Sequence, residues 1–520
     1  MADSPPSPQQ PKTPSTAVNV ITNWIWYALT IVSGFLIPRL IEDKQGRELL
    51  GIWDLCWTLV IYVNLLSMGV VSAMSRFAAR NRVSSDWHAT NLSYNSSTLL
   101  LSISFLAAVT LVSAVNWVQV MLPPDTPAAL VNEGWLISVV LVTAAAVQLP
   151  AGPLNGIITG FERFDCLNAI RWVRDFVMLI GMIASLYLGY GLLALAMINL
   201  VTEVGASIAK WFVARRLCPA LQLSPRFCKL VVMRKLLIFG GKSAVQEFAR
   251  GGLYSAASFI VSRRLGEGPM AIYSRQRNLV MHAHRFTKQF SQVFVPKSAA
   301  LQAGADQNAL RELLIVSGRW GFFIAVPIVA LLIIAGDDLV EVWMKSTDYR
   351  KPMVMLCLAL GHLPALGQMS AYSVLMGMGK HGIASAIELF TAITAIIVML
   401  VIAPYAKDLM LTISLILGLS VATSGGLLIP MYACRLLKLS QLEYWAKTIG
   451  PPILAGLPFI AALILVQVFG SHSAKERLLL SVTIGAVVNG FVYWFFVIPP
   501  LFREKIRNRL LFAKARVGSA

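Results

Sequence analysis

Runs of about 20 apolar residues recur along almost the whole length of this chain and restrict what it can fold into. Inside a bilayer the backbone finds no water to bind, so an apolar segment of this length crosses as a helix. Of the 520 residues, 57% are hydrophobic and 13% are charged, which is about half the charge of soluble proteins. The sequence therefore predicts an all-α, polytopic membrane protein with about fourteen transmembrane helices.

The distribution of Lys and Arg predicts the orientation of these helices. Taken together, the N-terminal tail, the even-numbered loops and the C-terminal tail hold more Lys and Arg than the odd-numbered loops do. Loops rich in Lys and Arg stay on the cytoplasmic side, so we expect both termini to be cytoplasmic. The same loops explain the net charge of +19, and we expect no nucleic-acid partner. The eighth span, Met270–Val295, is unusually polar, but it must cross if the basic segment 215–235 and the basic C-terminal tail are to share one side.

Two short patterns occur twice in the chain, at nearly equal offsets. Gly51-Ile52-Trp53 opens the second span, and Ala271-Ile272-Tyr273 opens the eighth. The sequence TGFER at 159–163 ends the fourth span, and MGMGK at 376–380 ends the tenth. Six helices followed by six in the same orientation predict two lobes with a parallel pseudo-twofold repeat, and two further helices follow them.

These features predict six regions along the chain. They are a disordered cytoplasmic tail (1–17), an N-lobe of helices 1–6 (18–218), a basic cytoplasmic linker (219–236), a C-lobe of helices 7–12 (237–438), helices 13 and 14 (450–502), and a basic cytoplasmic tail (503–520).

The segment Gly240–Lys297 should form the seventh and eighth spans, yet it is rich in charged side chains. On the eighth span, polar residues recur every three or four positions and therefore share one helical face. A charge at the bilayer centre costs roughly 2.5–3.5 kcal/mol, so such a stripe must face a cavity or other protein. Internal ion pairs explain only part of the set, because cations outnumber anions. The predicted substrate-binding residues of a cationic cavity are Lys242, Arg250, Arg275, Asn278, His282, Arg285 and Arg319.

Two isolated acids in the predicted spans, Glu203 and Glu388, are candidates for ion coupling, or they neutralise nearby cations. Glu247 is a further candidate for ion coupling, although it could instead pair with Arg250 or Lys242. His282 and His284 are either proton-relay groups or, more simply, neutral hydrogen-bonding partners.

No catalytic or metal-binding motif is present. Residues 239–243, FGGKS, resemble the end of a phosphate-binding P-loop, but Leu236 occupies the position of the earlier glycine and no strand precedes it. None of the six cysteines forms a CxxC pair, and HExxH and GxSxG motifs are absent. We therefore expect no enzyme activity, no cofactor and no metal, and transport driven by a gradient or a partner.

Three stretches carry a resemblance to a known family: residues 69–80 after the second span, residues 154–168, and Gly189-Tyr190-Gly191. Together with the helix pattern over residues 18–500, the chain resembles the polysaccharide and O-antigen flippases of the multidrug/oligosaccharidyl-lipid/polysaccharide (MOP) exporter superfamily. The resemblance implies two six-helix lobes around a V-shaped cavity, plus two extra helices.

The resemblance also implies a function. Such proteins flip an undecaprenyl-diphosphate-linked oligosaccharide, a repeat unit of O-antigen, capsule or exopolysaccharide, across the bacterial inner membrane by alternating access. The implied partners are the lipid-linked glycan, membrane lipids and the polysaccharide polymerase or export machinery. The glycan and diphosphate would cross the cationic cavity while the polyprenyl tail stays in lipid.

Two alternatives compete with this expectation. One is a cation-coupled multidrug exporter of the same superfamily, although cationic drugs should require an acidic cavity. The other is a non-transporting membrane subunit of a polysaccharide assembly complex, in which the charges would be paired and the cavity occluded.

Overall fold

The computed structural model describes residues 16–84, 86–470, 473–497 and 503, which form helices and turns but no strand. Within these ranges the side chains at 16–28, 64–68, 72, 83, 239, 240, 242–244, 296 and 303 are not described. The tails predicted at 1–17 and 503–520 therefore lie outside the described residues, apart from positions 16, 17 and 503.

The described residues form fourteen long helical segments, each at the position of a predicted span. The first seven are α1 (Thr16–Gln45), α2 (Arg47–Val83), α3 (Trp87–Ala114), α4 (Ala128–Gly160), α5 (Phe164–Tyr187), α6 (Leu192–Leu217) and α7 (Leu230–Leu265). The other seven are α8 (Glu267–Ser291), α9 (Gln307–Met344), α10 (Pro352–Gly377, broken at Gln368), α11 (His381–Ile402), α12 (Leu409–Leu436, with a π-helical stretch Ala422–Leu428), α13 (Gln441–Phe469) and α14 (Ala474–Val497). Short helices lie at Trp117–Met121 and Phe294–Ala303.

The hydropathy of these segments agrees with a membrane location. Within the described part of the chain, nine are long and apolar enough to cross a bilayer by length and composition alone: α3, α4, α6 and α9 to α14. The polar eighth segment is a continuous helix, α8, but it is not among these nine, so its crossing of the membrane stays a prediction. The predicted fold class, an all-α polytopic membrane protein, is confirmed.

The chain packs into two compact units that divide between Ala271 and Ile272. The first unit includes α7, which packs along α2 and also contacts α3 and the short helix Trp117–Met121. The sequence had placed the seventh helix with the second lobe, after a linker at 219–236. In this structure α7 packs with the first unit, and the lobe boundary at 219–236 stays a prediction from the sequence.

The fourth and tenth helical segments end in the same way. Glu162, after α4, and Gly379, after α10, both have a left-handed backbone, with φ of 62° and 72°. The amides of Arg163 and Lys380 each donate to the carbonyl five residues earlier, at 3.1 and 2.9 Å. This is the hydrogen bond of a Schellman helix end, which requires the left-handed residue. The two endings are the repeated TGFER and MGMGK patterns of the sequence.

The helix preceding each of these endings also packs in the same way. Gly160 of α4 lies against the backbone of Ser75 in α2, where a Cβ would come within 2.9 Å of the Ser75 carbonyl oxygen. Gly377 of α10 lies likewise against the backbone of Val295. Val295 follows Ser75 at the same offset that separates Ala271 from Gly51 in the repeated pattern. Only glycine permits such a close backbone approach.

Two aspartates separated by this same offset cap equivalent helices. Asp86 Oδ1 accepts from the Ala89 amide at 2.8 Å and starts α3, and Asp306 Oδ1 accepts from the Ala309 amide at 2.9 Å and starts α9. Turns, close approaches and caps thus repeat at the offsets predicted from the sequence, as an internal duplication requires.

One buried carboxylate, Asp338 of α9, contacts both of the last two helices. Arg477 of α14 donates to it from Nε at 3.0 Å and from Nη2 at 2.5 Å, and Gln467 of α13 donates at 2.8 Å. Arg350, in the segment after α9, donates at 2.7 Å. Asp338 therefore joins the ends of α9, α13 and α14 in one hydrogen-bonded network.

Candidate functional site

The predicted site residues are distributed over both compact units. Glu203, Lys242, Glu247 and Arg250 belong to the first unit, and the residues from Arg275 onward belong to the second. The side chain of Lys242 lies outside the described part of the structure. Each group is considered within its own unit.

The stripe on α8 runs from a buried end to an exposed end. Arg275 is completely buried, Asn278 and His282 are half-buried, and Arg285 is exposed. The neighbours of Arg275 on the same helix, Tyr273 among them, are also completely buried. The accessible part of the predicted stripe therefore begins at Asn278 and ends with a solvent-accessible guanidinium.

Arg275 is accommodated in the interior by an aromatic ring. Its guanidinium carbon lies 5.4 Å from the ring centroid of Trp343 in α9, a cation–π distance. The adjacent Gln276 donates from Nε2 to the carbonyl of Tyr349 at 2.6 Å. The first turns of α8 are thus fixed to α9 and the segment after it, and Arg275 is a packing residue as well as a cation.

The sequence of α8 and of the segment after it is strongly cationic. From Gly268 to Ala305 the sequence contains five Lys or Arg and two His, with no Asp or Glu. Arg277 lies beside Asn278, with its Nη2 3.5 Å from Oδ1, and its guanidinium carbon is 6.0 Å from the Tyr273 ring. His284 is buried, so of the two histidines His282 is the more accessible. An anion is the natural ligand for this surface.

Arg319 of α9 takes part in helix packing. Its Nε donates to the carbonyl of Lys447 in α13 at 2.7 Å. The sequence placed Arg319 with the cavity residues, but this hydrogen bond gives it a structural partner on another helix.

Glu203 lies in a buried cluster that the sequence reasoning missed. Its carboxylate is ion-paired with Arg174 Nη1 of α5, and Arg174 Nη2 lies 2.7 Å from Asp175 Oδ1. Lys210, two turns after Glu203 on α6, is also buried. The sequence did contain a signal for this cluster. Arg174 and Asp175 lie inside the predicted fifth span, where charges are costly. Ion coupling through Glu203 would require Arg174 to exchange its partner.

The two other candidate acids differ in their surroundings. Glu247 is half-buried on α7, three residues before the half-buried Arg250. Glu388 is buried on α11, and one turn later the carbonyl of Thr391 accepts a hydrogen bond from Ser420 of α12 at 3.1 Å. In the part of the chain that the structure describes, no group of three or more His, Cys, Asp or Glu side chains is arranged to hold a metal ion.

Comparison with solved structures places the fold among known transporters. An inward-facing multidrug resistance MATE family transporter of the MOP superfamily has a TM-score of 0.68 and 16% identity, covering 82% of this chain and 100% of that one. An outward-facing structure of such a transporter has a TM-score of 0.60 and 14% identity, covering 82% and 97%. A MOP superfamily transporter from Pyrococcus furiosus, described by the reverse polarity of its binding pocket, has a TM-score of 0.61 and 13% identity, covering 83% and 95%.

Sequence comparison identifies the family. No curated protein matches the sequence. The family described as "Polysaccharide biosynthesis protein" matches residues 67–347, which is more than half of the chain. The chain therefore belongs to the polysaccharide biosynthesis protein family, whose fold here is that of the multi-pass membrane transporters of the MOP superfamily.

Proposed function

We propose that this protein flips a polyprenyl-diphosphate-linked oligosaccharide across the bacterial inner membrane by alternating access, with both termini in the cytoplasm. One observation carries the proposal: the accessible face of α8, from Asn278 to Arg285, is cationic in a stretch of sequence that contains no acidic residue. The family match to polysaccharide biosynthesis supports a glycan as cargo.

The chemistry of this face suits a lipid-linked glycan. A diphosphate carries negative charge and several acceptor oxygens, and an Arg guanidinium binds such groups through two parallel hydrogen bonds. Arg285 is exposed and could reach a diphosphate, whereas Asn278 and His282 offer neutral donors and acceptors for sugar hydroxyls. The polyprenyl tail would remain in the bilayer, because its transfer into a polar site would be unfavourable.

The source of energy is part of the proposal. The sequence carries no complete nucleotide-binding motif, so a gradient or a partner would drive transport. Glu388 and Glu247 remain candidates for ion coupling. Glu203 is a weaker candidate than the sequence indicated, because it already has Arg174 as a cationic partner. Polysaccharide polymerase and export machinery are the proposed protein partners.

The two alternatives are less well supported. A multidrug exporter for cationic compounds should present acidic groups, and the accessible face of α8 is basic. A non-transporting assembly subunit should have its cations enclosed, which fits the buried Arg275 but not the exposed Arg285.

Export in a cell that depends on this protein tests the proposal. We expect Arg285→Ala to reduce surface polysaccharide strongly at matched expression. Arg264→Ala removes an arginine that is also exposed, at the end of α7 and outside the stripe, and should leave export unchanged. Full export by Arg285→Ala, or drug resistance conferred on a sensitive host, would count against the flippase.

A further inference from the structure

A second cationic region lies away from α8. From Val204 to Gln246 the sequence has eight Lys or Arg and no Asp or Glu. Six of them lie between the end of α6 and the first turns of α7, and all six are exposed: Arg215, Arg216, Arg226, Lys229, Arg234 and Lys235. The proposed function uses none of these six residues.

The connection between α6 and α7, residues 218–229, is held as a strap by two asparagines of α3. Asn91 donates to the Ala220 carbonyl at 2.9 Å and accepts from the Gln222 amide at 2.8 Å. Asn95 donates to the Gln222 carbonyl at 2.8 Å and accepts from the Ser224 amide at 2.8 Å. Each side-chain amide thus donates one hydrogen bond to the strap backbone and accepts one from it, as the backbone of a neighbouring β-strand does.

Further contacts fix the end of the strap. The Lys229 amide donates to Ser96 Oγ at 3.0 Å, and the rings of His88 and Phe227 lie 5.6 Å apart. The positions of Arg226 and Lys229 are therefore set by α3, unlike those of charges on a loose loop.

The exposed face of the first two turns of α7 mixes apolar and basic side chains. At 100° per residue, six positions fall within about 160° of arc on this face. They are Leu230, Val231, Arg234, Lys235, Leu237 and Ile238. Its four apolar side chains, and Leu223 on the strap, are each more than half exposed, whereas Leu236 on the opposite face is buried.

Five large exposed apolar side chains close to six cations need an environment that suits both. Water would leave the apolar groups exposed, and the hydrocarbon core would leave the cations unsolvated. At the membrane surface the apolar side chains enter the acyl region while Lys and Arg extend to the headgroups. A soluble protein partner would more usually meet an apolar centre with a polar rim, but here the two kinds are interleaved.

We propose that the strap and the start of α7 form a binding surface for the headgroups of anionic phospholipids in the leaflet that they face. Each Lys or Arg close to an anionic surface contributes about 1 kcal/mol, or about a five-fold preference. The proposal does not depend on the transported cargo, and its test requires no glycan.

Site-specific photo-cross-linking tests this surface in the full-length protein. The variant Leu223→p-benzoylphenylalanine is purified, reconstituted in vesicles of phosphatidylcholine and phosphatidylglycerol, and irradiated. Mass spectrometry then gives the headgroups of the adducts. We expect the ratio of phosphatidylglycerol to phosphatidylcholine among the adducts to exceed the ratio in the bulk lipid by about five-fold or more. Adducts in bulk proportion, or the absence of lipid adducts, would overturn the proposal.

Two charge variants test whether the basic residues of this surface cause the preference for phosphatidylglycerol. Replacing four basic residues by Gln should abolish it: Arg226, Lys229, Arg234 and Lys235. The matched control replaces four exposed lysines of the second unit by Gln and should keep it: Lys345, Lys351, Lys407 and Lys475. Retained preference in the first variant, or equal loss in both, contradicts the assignment.

If the first charge variant does not fold, the salt dependence of cross-linking in the protein with all its basic residues provides an independent measurement. At about 1 M salt the Debye length falls to about 3 Å, so the preference should disappear. A preference that persists in high salt would refute an electrostatic headgroup site. Irradiation in native membranes addresses the alternative, because a protein adduct at Leu223 in place of lipid would indicate a protein partner.

Discussion

Replacing Asp338 by Ala should detach the ends of α13 and α14 from α9. The substitution removes the acceptor of Arg477, Gln467 and Arg350 at once. Breaking a buried ion pair by removing one partner costs about 3–5 kcal/mol. Arg350 keeps its ion pair with Glu341, at 2.5 Å, so we expect the lower end, about 3 kcal/mol. In a unit of this size that corresponds to a fall of about 6–12 °C in Tm.

The assay is thermal unfolding of the purified full-length protein, followed with a thiol-reactive dye. Cys434 in the second unit is buried, so its reaction reports unfolding there. The graded control is Asp408→Ala, because Asp408 accepts one amide hydrogen bond at the start of α12, from Leu411 at 3.0 Å. Losing such a cap costs about 1 kcal/mol and should lower Tm by about 2–4 °C. If Asp338→Ala lowered Tm no more than Asp408→Ala, the network would not hold the last two helices.

Two further substitutions test packing and buried charge. Gly377→Val should lower Tm, because the new Cβ meets the backbone of Val295 in the short helix Phe294–Ala303, and overpacking costs about 1–3 kcal/mol. Gly205→Val, with open space around its Cβ position, should melt as the parent does; equal losses would argue against the close approach. Arg174→Ala should reduce the yield of folded protein, because Asp175 and Glu203 remain buried without their shared cation. Adding Asp175→Asn and Glu203→Gln to that variant should recover most of the yield, and no recovery would mean that the cluster is not electrostatic.

The sequence was sufficient to predict the helices and their repetition. Apolar runs of bilayer length determine where helices form, and the basic loops required the polar α8 to cross. The duplicated patterns marked real local geometry, since Glu162 and Gly379 occupy the same left-handed helix ending.

The sequence was not sufficient to predict how the helices face one another. The spacing of polar residues on α8 predicted the same environment for Arg275 and Arg285. In the structure Arg275 lies over the ring of Trp343, whereas Arg285 is exposed. That difference depends on which helix packs against each turn, and periodicity carries no such information. The pairing of Glu203 with Arg174 depends in the same way on the contact between α5 and α6.

The proposed role of the α8 face is tested most directly by flipping in reconstituted vesicles, with a fluorescent polyprenyl-diphosphate glycan as the probe. Losing one charge-assisted interaction of about 1.5–3 kcal/mol should slow flipping by Arg285→Ala about 10- to 100-fold. Arg285→Ala should melt as the parent protein does, because the side chain is exposed, and Arg264→Ala should flip the probe at the parental rate. Flipping by Arg285→Ala at the parental rate would contradict a substrate path along the cationic face of α8.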